Sequence, residues 1–127
     1  MKVEDIKFKA KRLDNGEWVE GSLTYSQGIA YIHRKESDED DRCYLTPYKV
    51  IPETVCQFTG MMDEDCNEIW EGDIVECEIY DLYKGFVKVK AVIEYSVGAF
   101  AAMVNIAPYP LYSQDVKVVG NKFDKEK

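Results

Sequence analysis

Histidine and paired cysteines are what this chain lacks most. It has one histidine, His33, and its four cysteines contain no CxxC pair. Structural zinc sites place their ligands in close pairs on tight turns, so we expect no zinc site. Cys56 and Cys77 lie in apolar segments and are predicted to be small core residues with reduced thiols. No serine or cysteine has a recognisable nucleophile context, so we expect no catalytic triad, no metal ligand and no cofactor.

Long apolar runs are also absent. The uncharged stretch 95–114 is interrupted by Gly98, Asn105, Pro108 and Pro110, whereas a membrane-spanning helix needs about 20 apolar residues. No apolar run follows Lys2, so the N-terminus does not resemble a signal peptide. We therefore expect a cytoplasmic protein with no membrane partner.

Basic residues are in the minority. The chain has 16 Lys and Arg against 24 Asp and Glu, a net charge of -8, and such a surface repels nucleic-acid phosphates on average. Two local basic sets remain as candidates for nucleic-acid binding: Lys7, Lys9, Lys11 and Arg12, and Lys84, Lys88 and Lys90. Both sets alternate with apolar residues, so the exposed face of a strand is the favoured interpretation and nucleic-acid binding is the alternative.

The pattern that is present has a period of two residues. Ile6, Phe8 and Ala10 alternate with lysines, and the turn pairs Asn15-Gly16 and Gln27-Gly28 separate apolar segments. Residues 1–35 are therefore predicted to form an antiparallel meander. Later segments of similar length are separated by Gly, Asp and Pro, which favours a small closed or half-closed barrel. The predicted fold class is mostly β, with a strand unit followed by a barrel.

A charged segment, 35–42, follows the predicted meander. It has no apolar residue, so we expect a solvated loop and the most natural boundary in the chain. A strip of carboxylates that docks a cation or a partner is the alternative.

Residues 52–75 form the most distinctive stretch of the sequence. Gly60 ends an apolar run, and Gly72-Asp73 predicts a tight turn, because glycine reaches backbone angles closed to other residues and aspartate bonds nearby amides. Gly120-Asn121 predicts a second turn after the last strand. These five residues are assigned structural roles.

The carboxylates of this stretch suggest two kinds of metal site. Asp63, Asp65 and Asn67 have the spacing of an EF-hand loop, but Glu68 and Ile74 stand where that loop needs glycine and glutamate. A Mg²⁺-dependent nuclease that uses Asp63, Asp65, Glu71 or Asp73 is a further alternative, although no motif marks a base or a phosphate clamp.

Three blocks of this sequence resemble the YopX family of phage and prophage proteins. The first block is Ile6 to Ala10, and the last is Val118 to Phe123. The middle block begins with Glu53-Thr54-Val55 and Gln57-Phe58-Thr59-Gly60, and it ends with Glu68-Ile69-Trp70-Glu71-Gly72-Asp73-Ile74-Val75. The resemblance implies a single domain over residues 1–127, with sub-units 1–35 and 50–123, the latter like an SH3-type barrel. It also implies a phage or prophage origin and a bacterial host cytoplasm. No catalytic residues carry over from it, because the family has no established biochemical activity.

The favoured function is a non-enzymatic accessory protein that binds a protein partner or itself. Its predicted interaction surface is aromatic and consists of Phe100, Tyr109 and Tyr112, which surround the loop with Pro108 and Pro110. Aromatic side chains near a rigid loop anchor many interfaces.

Overall fold

The fold is built almost entirely from β-strands. The computed structural model describes residues 2–96, 98–104, 107–110 and 116–124. Its strands are β1 (Phe8–Lys11), β2 (Trp18–Ser26), β3 (Ile29–Ser37), β4 (Cys43–Val50), β5 (Cys56–Met62), β6 (Glu68–Trp70), β7 (Asp73–Asp81), β8 (Gly85–Ser96), β9 (Ala99–Val104), β10 (Ala107–Pro110) and β11 (Val116–Asn121), with 3₁₀ turns at Val3–Asp5 and Pro52–Thr54. The predicted mostly-β class is confirmed. No helix in these ranges has the length and apolar character needed to cross a membrane.

The chain divides into two compact units, Met1–Phe58 and Thr59–Lys127. In the first unit the strands are ordered β4-β3-β2-β1-β5, and β5 continues into the second unit, where it pairs with β6. The second unit also contains a five-stranded sheet with the order β10-β9-β8-β7-β11. Neighbouring strands pair antiparallel throughout the described registers.

Alternation along each strand decides which side chains are buried in the first unit. Ala10, Val19, Ala30, Ile32 and Val50 are buried together, and Phe8, Leu23, Tyr48 and Val55 pack against them. Because side chains two positions apart share a face, the lysines that alternate with Phe8 and Ala10 take the other face of β1.

A separate core lies in the second unit. Its buried residues come mainly from β7, β8 and β9, namely Ile69, Val75, Cys77, Ala91, Ile93, Ala102 and Val116. Cys77 is a small core residue as predicted, and its buried environment raises the pKa of its thiol. Cys56 is likewise buried, and all four cysteines are free thiols.

The barrel predicted for residues 50–123 is not confirmed. The five-stranded sheet of the second unit runs linearly, with β10 and β11 at opposite edges, and no closed barrel forms in the described residues. Barrel closure requires the two edge strands to pair with each other. Side-chain alternation in a sequence indicates which face of a strand is buried, but it does not indicate which edge strands pair with each other.

The acidic segment forms a hairpin tip inside the first unit. Residues up to Ser37 belong to β3, which pairs with β4 as far as Ser37 opposite Cys43. Asp38 Oδ1 then accepts hydrogen bonds from the amides of Asp40 and Arg42, both at 2.9 Å. The division between the units falls instead at Phe58 and Thr59, within β5.

Gly120 and Asn121 lie in a strand where the sequence predicted a turn. Both residues pair with β7, and the register shifts between Val118 and Gly120. Gly120 has no positive φ, whereas Gly60 and Gly72 have φ of 84° and 86°. The chain therefore turns only after Asn121.

Candidate functional site

The buried carboxylate of Asp63 connects the β5–β6 hairpin to β11. Asp63 is 5% exposed. Its Oδ1 accepts the amides of Asp65 at 2.9 Å and Asn67 at 2.8 Å, and its Oδ2 accepts the Val118 amide at 2.9 Å. The Asn67 side-chain amide completes the set at 3.3 Å. Both oxygens of Asp63 are therefore engaged by donors of the chain itself.

Two opposed effects act on the pKa of Asp63. Burial raises it, but the amide of Val118 and the donors of Asn67 and Asp65 lower it, and the net shift is downward. Hydrogen bonds that end on a carboxylate stabilise its charged form. Asp63 is thus held as an anion whose function is to bind backbone.

The turn at Asp73 has the same design. Asp73 is 3% exposed, and its Oδ2 accepts the amide of Trp70 at 2.8 Å. Its Oδ1 accepts the side-chain amide of Asn121 at 3.0 Å, and Asn121 Oδ1 in turn accepts the amide of Phe123 at 2.9 Å. The 52–75 stretch and the C-terminal block are therefore joined through buried polar side chains.

The carboxylates proposed for metal binding do not converge in the described residues. No group of three or more His, Cys, Asp or Glu side chains there is arranged to hold a metal ion. Asp63 and Asp73 face backbone amides, and Asp65 lies 3.9 Å from the ammonium of Lys117. Contacts within the fold therefore explain the positions of Asp63, Asp65 and Asp73.

The first basic set lies against aromatic rings in the first unit. The ammonium of Lys7 lies 4.7 Å from the Phe58 ring centre, and those of Lys9 and Lys11 lie 4.8 and 5.4 Å from the Trp18 ring centre. Cations over aromatic faces are attracted by the ring quadrupole. Lys7 also forms a salt bridge with Glu20 at 3.2 Å. These lysines therefore have contacts within the fold.

Two of the three lysines in the second basic set stand opposite glutamates of the neighbouring strand. In the β7–β8 register, Lys88 stands opposite Glu78 and Lys90 opposite Glu76. Opposite charges facing each other across an antiparallel pair stabilise the pairing. Lys84 lies in the turn between the two strands, where its amide donates to Asp81 Oδ1 at 3.0 Å.

A polar network on β3 and β4 was not predicted from the sequence. Glu36 accepts hydrogen bonds from Tyr48 at 2.5 Å, Arg34 at 2.7 Å and Thr46 at 2.9 Å. The hydrogen bond from Tyr48, followed by those from Arg34 and Thr46, lowers the pKa of Glu36 to about 2. His33 is half-buried, and its Nε2 lies 2.9 Å from the Thr24 hydroxyl.

This network predicts a measurable acid sensitivity. The pKa of Glu36 is lower in the folded protein than in the unfolded chain, where the pKa of glutamate is about 4.3. Its contribution to stability is therefore complete above that value and is lost as the pH falls toward 2. We expect Glu36→Gln to melt below the unsubstituted protein at pH 7, and the difference to shrink steadily on acidification in calorimetric scans.

Glu39→Gln is the charge-matched control, because Glu39 lies in the exposed turn of the same hairpin. A Glu36→Gln difference that stays constant across the acidic range would contradict the network. So would a Glu39→Gln variant with the same profile.

The predicted aromatic surface is only partly described. Phe100 is half-buried, packs against the core of the second unit, and makes an edge-to-face contact with Tyr95 at 5.3 Å between ring centres. Tyr109 lies in β10 opposite Ala102, with only its backbone position described. Tyr112 falls outside the described residues. The assignment of Tyr109 and Tyr112 to an interaction surface stays a prediction.

A different apolar surface stands out at the end of the β7–β8 hairpin. β11 pairs with β7 up to Cys77, and β9 pairs with β8 from Val92 onward. The end of the hairpin, residues 78–88, extends beyond both registers, and we name it the arm. Four of its large apolar side chains are exposed: Tyr80 62%, Leu82 85%, Tyr83 96% and Phe86 72%.

The arm has an ordered tip. Tyr80 faces Phe86 across the hairpin, and their rings meet edge to face at 5.3 Å. Asp81 Oδ1 accepts the amides of Tyr83 at 2.7 Å and Lys84. The signal for this surface was present in the sequence, because Leu82 and Tyr83 occupy a turn, where polar residues are usual.

A charged cleft lies beside the arm within the second unit. Its volume is about 530 Å³, and its lining includes Glu76, Glu78, Phe86, Lys88 and Lys117. Protein interfaces commonly combine an apolar centre with a polar rim. The exposed tip and the cleft reproduce that combination on one surface.

The geometry defines a β-sheet protein whose signature carboxylates stabilise the fold and whose exposed apolar surface is a hairpin arm. Residues 7–126 match the model of the YopX protein family. The chain therefore belongs to the YopX family. Comparison with curated proteins gave no match.

Proposed function

We propose that this chain is a non-enzymatic protein-binding module that contacts its partner through the tip of the arm. The observation that carries the proposal is the exposure of four large apolar side chains, Tyr80, Leu82, Tyr83 and Phe86, on a hairpin that extends beyond its sheet. The rings of Tyr80 and Phe86 are in contact, and exposed apolar side chains that cluster in this way mark interaction sites.

The energetics of the arm support this proposal. A two-stranded ribbon is marginally stable in water by itself. Covering an exposed Leu or Phe side chain is favourable by about 1.5–3 kcal/mol, and tyrosine is enriched among residues that dominate interface energies. A partner that covers the tip would therefore stabilise both the complex and the arm.

The proposed partner is a protein of different sequence that receives the tip in an apolar groove. Each copy of this chain carries a net charge of -8, so two copies repel each other. The membership of the YopX family supports placing the module among phage or prophage accessory proteins that act in the bacterial cytoplasm.

Photo-crosslinking from the tip tests the proposal. With benzoylphenylalanine at position 83, illumination of bacteria that express the chain is expected to yield a discrete protein adduct. Position 25 is the matched control, because Tyr25 is also an exposed tyrosine, at 62%, but lies on β2 in the first unit. Leu82→Ser combined with Phe86→Ser in the position-83 protein is expected to reduce the adduct about tenfold or more, as the two anchors are lost.

Each alternative has its own signature in this experiment. An adduct with a second copy, accompanied by a concentration-dependent mass in sedimentation, would replace the proposed partner by self-association. An adduct with nucleic acid would favour the nucleic-acid alternative. Equal labelling from positions 83 and 25, or an adduct that survives the double substitution, would refute a binding role for the tip.

A further inference from the structure

Within the described residues, the outer edge of β8 has no partner strand next to the tip of the arm. β8 pairs with β7 along Gly85–Val92, but β9 joins its other side only from Val92 onward. Between residues 86 and 90, the described chain therefore pairs β8 on one side only. An open strand edge presents unpaired backbone donors and acceptors, which bind an additional strand.

The side chains along this edge alternate in character. Phe86, Lys88 and Lys90 are exposed on one face, while Val87 and Val89 are half-buried on the other. A strand added at this edge would place every second residue beside the lysines and the residues between them beside the valines.

We propose that the β8 edge of the arm binds an extended segment of the partner in which acidic residues alternate with apolar residues. The chain already shows this arrangement on the other side of β8. There β7 sets Glu78 opposite Lys88 and Glu76 opposite Lys90, with Ile79 opposite Val87. The partner segment would place acidic residues and apolar residues along the open side of β8, as β7 does along the paired side.

Lys88 and Lys90 give the edge its selectivity. Lysines on an open edge discourage pairing with uncharged or basic strands, because that pairing buries or juxtaposes their charges. An acidic strand meets two ammonium groups instead and gains cross-strand charge pairs. The same two residues thus suppress self-aggregation of β8 and admit one class of partner segment.

This inference rests on the proposed function, and a peptide titration tests it separately. The probe is a short synthetic peptide in which glutamate alternates with valine, added to the full-length chain and followed by NMR. We expect shifts of the backbone amides at residues 86–90 and slower hydrogen exchange there. A control peptide in which lysine replaces glutamate is expected to bind about tenfold more weakly or worse, as like charges then face each other.

Charge reversal supplies the second variant. Lys88→Glu with Lys90→Glu is expected to exchange the preference, so that the lysine peptide binds better than the glutamate peptide, and a melting curve verifies that the variant is folded. If the variant is unfolded, the two peptides compared on the unsubstituted chain decide the question. No shift at residues 86–90, or equal binding of both peptides, would overturn strand addition, whereas the crosslinking from position 83 would stand or fall independently.

Discussion

Asp73→Ala is expected to destabilise the second unit strongly. The substitution removes the acceptor of the Trp70 amide at 2.8 Å and of the Asn121 side-chain amide at 3.0 Å, both buried. A buried donor left without its acceptor costs about 1–3 kcal/mol, and more where the lost partner is charged. We expect a loss of about 3 kcal/mol or more in the free energy of unfolding, measured by urea titration.

Asp73→Asn keeps the volume of the side chain at this position but changes its charge and its hydrogen-bonding groups. Asparagine keeps the volume, but its amide group would face a donor at one of the two contacts, so it is expected to recover only part of the loss. If Asp73→Ala unfolds at the same urea concentration as the unsubstituted protein, the structural role of this turn is refuted. The catalytic role considered for Asp73 would then need direct examination.

Gly21→Ala is expected to have an effect of similar size in the first unit. A methyl group at this position would lie 2.1 Å from the carbonyl oxygen of His33 and 2.8 Å from its carbonyl carbon. Because those atoms belong to the backbone of β3, the strand itself must move. Forced overpacking commonly costs 1–3 kcal/mol, and we expect about 3 kcal/mol here, with a melting temperature lower by about 10 °C or more.

Gly120→Ala is the matched control for Gly21→Ala. Gly120 also lies in a strand and has no positive φ, and a methyl group there would meet only Ile74 Cδ1 at 3.9 Å, an ordinary contact. Its stability is expected to stay within about 0.5 kcal/mol of the unsubstituted protein. Equal melting temperatures for the two alanine variants would contradict the close approach described at Gly21.

The elements that alternation and turn chemistry could predict are local. Ile6 to Lys11 and the pairs Asn15-Gly16 and Gln27-Gly28 predicted the beginning of the meander, because both signals act over a few residues. The turn at Gly72 and Asp73 is predictable for the same reason, since its hydrogen bond to Trp70 spans three residues. Asn121, the other partner of Asp73, lies 48 residues away along the chain and left no signal in the sequence.

The aromatic surface was predicted at Phe100, Tyr109 and Tyr112. Phe100 packs against a core, and for Tyr109 and Tyr112 the assignment stays a prediction. The exposed tip at residues 80–86 was missed because apolar residues in a sequence do not indicate whether a neighbouring strand covers them. Their exposure follows from the registers of β9 and β11, which end before the arm, and composition does not encode where a neighbouring strand ends.

The amino-acid sequence by itself determined a β-rich chain of the YopX family and the faces that its strands bury. It did so because side-chain alternation and glycine conformations are properties of neighbouring residues. Tertiary structure alone decided that the second sheet forms no closed barrel in the described residues, that Asp63 and Asp73 are bound by residues of distant strands, and that a hairpin arm exposes apolar side chains. These features depend on pairings between residues far apart in the chain, and such pairings are selected by the free energy of the whole fold.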